Sequence, residues 1–430
     1  MIEQMNHGKP CKILRYKSFL RIIMLRQYLA PLIAAGLATV LAPAAHAAPA
    51  YTSRVLVNNL ANPRGLLVRG DQLLVSEAGS GGPAGASNCI TSGAFTTLCS
   101  GLSGALGSWN LTNQTYTRVL TGLPSLAQTN GTEGTGLADL ANGGPTGLLG
   151  IFGFGANPNL LTPILPGNNL FARVVSIDLS TNNVQPRANL AAYEKDYNPD
   201  GRDLNSNPYA VQVFGGKLYA TDAGGNTLLT LGLTPNPSDG LLPIESAFAF
   251  PTTPITPPPT PPGAPDPFPA SAVPTGLTVN PATNTLLIGE FSGYPFVPGS
   301  ASVYATTGLM APLVSLTGFS TITDVTADNA GNSYVLEYNF LPAAGGIWRV
   351  TPGGGRERII DGLTEPTSLA LGPDGTIFVT NKADGLQGEL LEYRPTPAPL
   401  PLFGAALAWR QARRLRQRVR QSRPGAASAS

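Results

Sequence analysis

The sequence predicts an all-β protein, a six-bladed β-propeller, on three observations. Turn formers are abundant and charges sparse, with 50 Gly and 41 Pro among 430 residues and 12% charged, as befits many short strands joined by loops. One local pattern also repeats. Residues 366–393 (PTSLALGPDGTIFVTNKADGLQGELLEY) read as three short strands, over 368–371, 376–380 and 390–393. The Asp374-Gly375 pair suits the tight hairpin between the first two. The same cadence recurs at 63–79, 208–231, 274–304 and 323–350, with a weaker copy over 146–179, and four-stranded units of ~40–50 residues mark a propeller. Finally, the last unit has only three strands, and the chain begins with one to spare. Residues 54–60 (RVLVNNL) match 358–363 (RIIDGL), which closes one blade and leads into the next. The first strand therefore supplies the last blade's fourth and closes the ring, leaving no open edge. Inner strands are expected near Gly65, Gly147, Ala210, Gly276, Asp324 and Ser368.

The propeller is expected over 48–394, between two special ends. Residues 26–41 form a basic start and an apolar run, and Ala45-His46-Ala47 fits the small-x-small cleavage rule. Residues 1–47 therefore read as a secretory leader, with an N-terminal membrane anchor as the alternative and Met24 as a second possible start. Residues 395–430 hold a short apolar stretch and then an arginine block over 410–423. Such a segment can stall in the inner membrane with its charges inside, or lie on a membrane surface as a basic tail.

The formal net charge of +2 misleads, because 13 of the basic residues lie in the two ends. The body keeps 14 basic residues against 24 acidic ones once those 13 and Glu3 are set aside. That balance argues against nucleic acid, which needs a basic footprint. Both histidines, His7 and His46, fall in the leader. A mature chain without histidine excludes Ser–His–Asp and Cys–His catalysis and His-ligated zinc or iron. Any bound metal would take oxygen ligands, which favours Ca²⁺ or Mg²⁺.

Cys89 and Cys99 lie in a Gly-rich insertion over 79–107 and, in an exported protein, read as a disulfide. Residues 251–274 are almost all Pro, Thr and Ala, an extended polyproline-like insertion. Residues 196–203 (DYNPDGRD) begin like a calcium loop, with Asp196, Asn198 and Asp200 as candidate ligands. Asn207 stands where the bidentate Glu belongs, so a solvated turn is the competing reading.

Strand direction assigns the faces. The start of strand one and the end of strand two share a rim with every long insertion, whereas the tight turns at 70–71, 215–216, 280–284, 329–331 and 372–375 lie opposite. Long loops on a rigid scaffold are where binding usually resides. On that rim the strand-two ends present Glu77, Asp222, Glu290, Glu337 and Asn381, with Arg64, Tyr209, Thr275, Asp324 and Thr367 beside them. Such a ring suits a calcium ion or a cationic or polyhydroxylated ligand. The competing reading is that each carboxylate bonds backbone N–H groups of its own blade.

Several motifs carry a resemblance: Ser76-Glu-Ala-Gly79 with the Cys loop, Asn189–Glu194 (NLAAYE), Asn205–Tyr209 (NSNPY), Thr221–Asn226 (TDAGGN), Gly289–Phe296 (GEFSGYPF) and Tyr334–Glu337 (YVLE). In cadence the chain resembles NHL-type propellers. In the order of these motifs, over 54–393, it resembles the ScyD/ScyE family, exported proteins encoded near genes for the pigment scytonemin. The tail is similar to a PEP-CTERM sorting tag, with Pro397-Ala-Pro-Leu-Pro401 in place of Pro-Glu-Pro. The resemblance implies a secreted six-bladed propeller, accessory to extracytoplasmic pigment or matrix chemistry, and supplies no catalytic residues.

The expected function is therefore that of an exported, non-catalytic binding or scaffold propeller. It would act as a monomer on a small molecule or matrix component, with transient inner-membrane contact through its tail. The alternative is a calcium-dependent lactonase or hydrolase of the gluconolactonase or strictosidine-synthase type. There a metal on Glu77, Asp222, Glu290 and Glu337 would polarise a carbonyl.

Overall fold

Six antiparallel sheets follow one another along the chain and around an axis in the computed structural model. The model describes residues 51–396 apart from 86, 93–95, 145–146, 162–163, 165–169, 257–264 and 339–344, together with 413, 414 and 416. The expected leader, and the expected sorting tail apart from 395–396, 413, 414 and 416, lie outside the described residues. The innermost strands are Pro63–Arg69, Leu137–Asn142, Pro208–Phe214, Pro274–Asn280, Ile322–Ala327 and Leu369–Leu371. Neighbouring inner strands touch all the way round, and the ring closes between the first and the last of them.

Closure is made as the sequence predicts. Tyr51–Leu60 pairs antiparallel with Gly388–Pro395 as the outer strand of blade six. The tight turns keep the conformations their residues invite, as at Gly215 and Gly216, whose φ angles are +55° and +77°. Each interface between neighbouring blades has its own apolar cluster, such as Leu74, Leu106, Leu137, Phe152 and Val175 between blades one and two. A propeller core is thus six wedges rather than one globule. A seventh cluster, including Ile90, Leu98, Leu126, Phe154 and Phe171, lies under the cysteine insertion.

A belt of side chains ties inner strands to their neighbours near the axis. Ser76 Oγ donates to Ala138 O, Thr221 Oγ1 to Thr275 O, Thr275 Oγ1 to Ile322 O, Thr323 Oγ1 to Pro366 O, and Thr367 Oγ1 to Pro63 O. Each bond is worth about 0.5–1.5 kcal/mol net, and together they fix the blades' angular spacing.

Three expectations change. The inner strand of blade two is Leu137–Asn142, not a strand near Gly147, which sits at φ +74° after that strand. The cysteine insertion is not a loose loop: Cys89–Thr91 pairs with the first part of the long strand Thr97–Asn110. The proline insertion is not wholly polyproline-like, because Thr253–Ile255 pairs with Phe268–Ala270.

Cys89 and Cys99 stand directly opposite in that hairpin and form a disulfide, with Cα atoms 4.0 Å apart. Replacing both by Ser should lower stability by about 2 kcal/mol, the small end of the usual range for so short a loop. Denaturant unfolding of the double variant checks this, and an unchanged midpoint would contradict it.

Candidate functional site

The predicted rim acids do gather at the entries of their blades. Register pairs Pro63 with Glu77, Pro208 with Asp222, Pro274 with Glu290 and Ile322 with Glu337. Yet these acids and Asn381 are only 1–7% exposed, and most of their polar atoms are already engaged. Glu77 accepts from Ala61 N, the Tyr116 hydroxyl, and Arg118 through both Nε and Nη2. Asp222 accepts from Ser206 Oγ and from the backbone of Asn207, Gly224 and Gly225. Glu337 accepts from Ser320 N, Trp348 Nε1 and Arg358. Asn381 accepts from Thr364 N and donates to Glu389.

Ala61, Asn207, Ser320 and Thr364 all lie on the connection entering their blade. The repeated carboxylate or amide is a staple that holds each crossover to the sheet it enters. Glu290 departs from the pattern. It accepts from Ser302 N through Oε2, while its buried Oε1 has no partner. A calcium ion bridging these four acids would have to displace the bonds of three of them.

Arg64 and Asp324 instead face the axis. A cavity of about 240 Å³ in the channel is lined by Asp139, Asp324, Gln212, Thr278, Thr326 and residues 66–68 and 369–371. Asp139 belongs to blade two and Asp324 to blade five, half a ring apart. Each ties its strand to the next blade. Asp139 Oδ2 accepts from Val211 N, and Asp324 Oδ2 accepts from Ser368 Oγ and Leu369 N.

The glycines before them leave the room required. A Cβ on Gly65 would come within 2.9 Å of Asp139 Oδ1, and one on Gly276 would collide with Asp324 Oδ1. Burial pushes Asp139 up to about 8, helped by the charge of Asp324. Burial likewise raises Asp324 to about 6, against the opposing pull of its N–H and hydroxyl donors.

Above the channel, on the insertion face, lies a mouth cavity of about 210 Å³. Arg64, Glu133, Asn207 and Tyr209 supply polar groups to it beside Ser92 and Thr135, and Leu98 and Phe154 form part of its apolar wall. Arg64 donates to Gly134 O through Nε and Nη2. Its charge acts on Tyr209, Tyr338 and Glu365. The Tyr209 hydroxyl reaches Thr367 O, 3.5 Å away in blade six, across the ring from its own blade three. Tyr209 therefore spans the axis between the mouth and the lower channel. Burial raises its hydroxyl pKa well above the ordinary tyrosine value.

The D-x-N-x-D-G segment does not fold as one continuous loop. Asp196 is exposed on the last turn of a helix, Leu190–Tyr197, and Asn198 caps it in the left-handed conformation. Asp200 accepts from Arg202 N and Asn226 Nδ2.

Sequence reasoning missed Asp139 and Glu133 because it placed blade two's inner strand near Gly147, after both of them. A signal was present: Leu137-Ala-Asp139-Leu140 parallels Ile322-Thr-Asp324-Val325, three blades on.

No protein-family model matches the chain, and no curated protein matches it. Solved structures of similar outline include a streptogramin B lyase at 12% identity and TM-score 0.42, covering 80% of this chain and 98% of that one. A gluconolactonase from Xanthomonas campestris has 11% identity and TM-score 0.38, covering 80% and 100%. A PQQ-bound aldose sugar dehydrogenase from Streptomyces coelicolor has 13% identity and TM-score 0.41, covering 81% and 100%. At such identities none of their activities transfers to this chain.

Proposed function

We propose that this protein is an exported, non-catalytic binding propeller that takes a small, polyhydroxylated anion into its axial mouth. The observation that carries this reading is the convergence of Arg64, Glu133, Asn207 and Tyr209 on one cavity against an apolar wall. Concave sites with a few placed polar groups are where small ligands bind. Arg64 Nη1, on the side of the guanidinium away from its bond to Gly134 O, is a charged donor suited to a carboxylate, while Glu133, Asn207 and the tyrosine hydroxyl suit ligand hydroxyls. The channel aspartates are held by backbone donors of the next blade, as fixed polar walls are. Export by the leader, sorting through a PEP-CTERM-like tail and kinship with the ScyD/ScyE proteins complete the proposal. The ligand would then be a soluble molecule or matrix component outside the cytoplasm.

A thermal-shift screen of aldonic and uronic acids, their lactones and neutral polyols tests it. The expected result is stabilisation by acids over polyols, lost in Arg64→Ala. No stabilisation by any of them would contradict the reading.

A second reading, a lactone hydrolase, is favoured by one observation. Asp139 and Asp324 share a channel with values displaced toward neutrality, as acid–base pairs often are. Turnover of the same lactones, lost in Asp139→Asn with stability retained, would decide for it.

A further inference from the structure

Three buried side-chain oxygens without a hydrogen-bond partner fall within twelve residues: Glu194 Oε1, Asn198 Oδ1 and Asn205 Oδ1. All three are acceptors, and all three come from the helix Leu190–Tyr197 and the loop that follows it. Glu194 is 3% exposed. Leaving a buried carboxylate or amide oxygen unpaired is costly, so three such atoms on one helix and the loop that follows it point to a missing positive partner.

The geometry brings them together. Asn198 lies one helical turn beyond Glu194, and its backbone N–H donates to Glu194 O at 2.8 Å. Its side-chain Nδ2 donates to Arg202 O, which fixes Oδ1 as the amide's unpaired end. The backbone N–H of Asn205 lies close enough to the Glu194 carboxylate to favour its charged form. Both groups abut the Gly224-Gly225 turn: a Cβ on Gly225 would stand 2.8 Å from Glu194 Oε2, and one on Gly224 would stand 2.8 Å from Asn205 Oδ1. Asp222, Asp200 and Asp203 add negative potential at Glu194. Asp200 and Asp222 are already bonded to Arg202 and Asn226, and to the Gly224-Gly225 turn. They therefore serve as field rather than ligands.

We propose that Glu194, Asn198 and Asn205 form a calcium site that pins the helix and its loop to the Gly224-Gly225 turn of blade three. One carboxylate and two amide oxygens are the hard, neutral-to-anionic donors that Ca²⁺ takes, with backbone carbonyls and water completing the shell. The ion neutralises a buried charge and locks an insertion to the rigid sheet. This is not the D-x-N-x-D-G loop that the sequence suggests, because Asn198 is its only side-chain ligand in common.

Calcium titration of the EDTA-treated full-length protein, followed by calorimetry and thermal unfolding, tests the site. The expected result is one equivalent of Ca²⁺ bound, a melting temperature raised by several degrees, and a much weaker response to Mg²⁺. Glu194→Gln and, separately, Asn198→Ala should each weaken binding at least tenfold. Metal-free Glu194→Gln should melt no lower than the metal-free parent, since it loses an unpaired buried charge. No binding by the parent protein, or undiminished binding by both variants, would overturn the proposal. If Glu194→Gln fails to fold, Asn198→Ala, on a less buried side chain, carries the test alone. The thermal-shift result with organic acids bears on the mouth and not on this site.

Discussion

Removing residues 51–60 should leave a chain with no cooperative unfolding transition. The strand pairs with Gly388–Pro395 from Tyr51↔Pro395 to Leu60↔Gly388. It places Leu60, fully buried, among Leu66, Leu73, Val75, Phe378 and Leu390 at the junction of blades six and one. Truncating one buried leucine costs about 2–5 kcal/mol. Losing the whole strand also exposes the edge of Gly388–Pro395 and unpairs a ladder. A domain's entire stability is only about 5–15 kcal/mol, so the loss is of the same order as the total. Because this strand carries the chain from blade six's outer edge into blade one, damage there weakens the seam of the ring rather than fraying an end. Calorimetry of the truncated protein checks it, with the synthetic 51–60 peptide added to restore the transition. A truncated protein that melts like the parent would contradict ring closure by this strand.

Stability should fall as pH rises from about 4 to 8, and Asp139→Asn should remove much of that fall. The sign follows from proton binding. The folded value of Asp139 is raised to about 8 from an ordinary 3.8, and that of Asp324 to about 6. Between the unfolded and folded values, the folded chain holds protons that the unfolded chain has released, so stability decreases with pH. Glu290, raised to about 7 by burial, adds to the same slope. Each pH unit across such a window is worth at most about 1.4 kcal/mol per group. Both aspartates touch solvent in the channel, so a total of a few kcal/mol is the reasonable scale. Asparagine can still accept from Val211 N while carrying no charge. The variant should therefore match the parent near pH 4 and exceed it at pH 8. Urea unfolding across this range decides the point, and parallel curves would show that Asp139 titrates as an ordinary carboxyl.

The fold was legible where local chemistry and ring geometry agree. The Gly-rich tight turns, the β-branched second strands and the matched motifs at 54–60 and 358–363 each constrain one blade, and six blades follow from their spacing. Blade two was misread because its third strand, Arg173–Asp178, begins well after its second ends at Phe152, so its strands do not follow one another at the spacing of the other blades. The rim was half legible. Sequence order places Glu77, Asp222, Glu290, Glu337 and Asn381 at equivalent ends of their strands, but not the direction of their side chains. That direction depends on partners far along the chain, such as Tyr116 and Arg118 for Glu77, or Trp348 for Glu337. Asp139 depends on blade two's register, and the three unpaired oxygens near Asn198 become visible only when burial is known.

The claim that function lies on the axis rather than in the ring of stapling acids is tested most directly by calorimetric titration of the strongest thermal-shift ligand. The parent, Arg64→Ala and Glu290→Gln would be compared at one pH. The account predicts that Arg64→Ala weakens binding more than about tenfold, roughly 1.4 kcal/mol, and that Glu290→Gln leaves it unchanged. Full affinity in Arg64→Ala together with lost affinity in Glu290→Gln would contradict it and return the site to the rim.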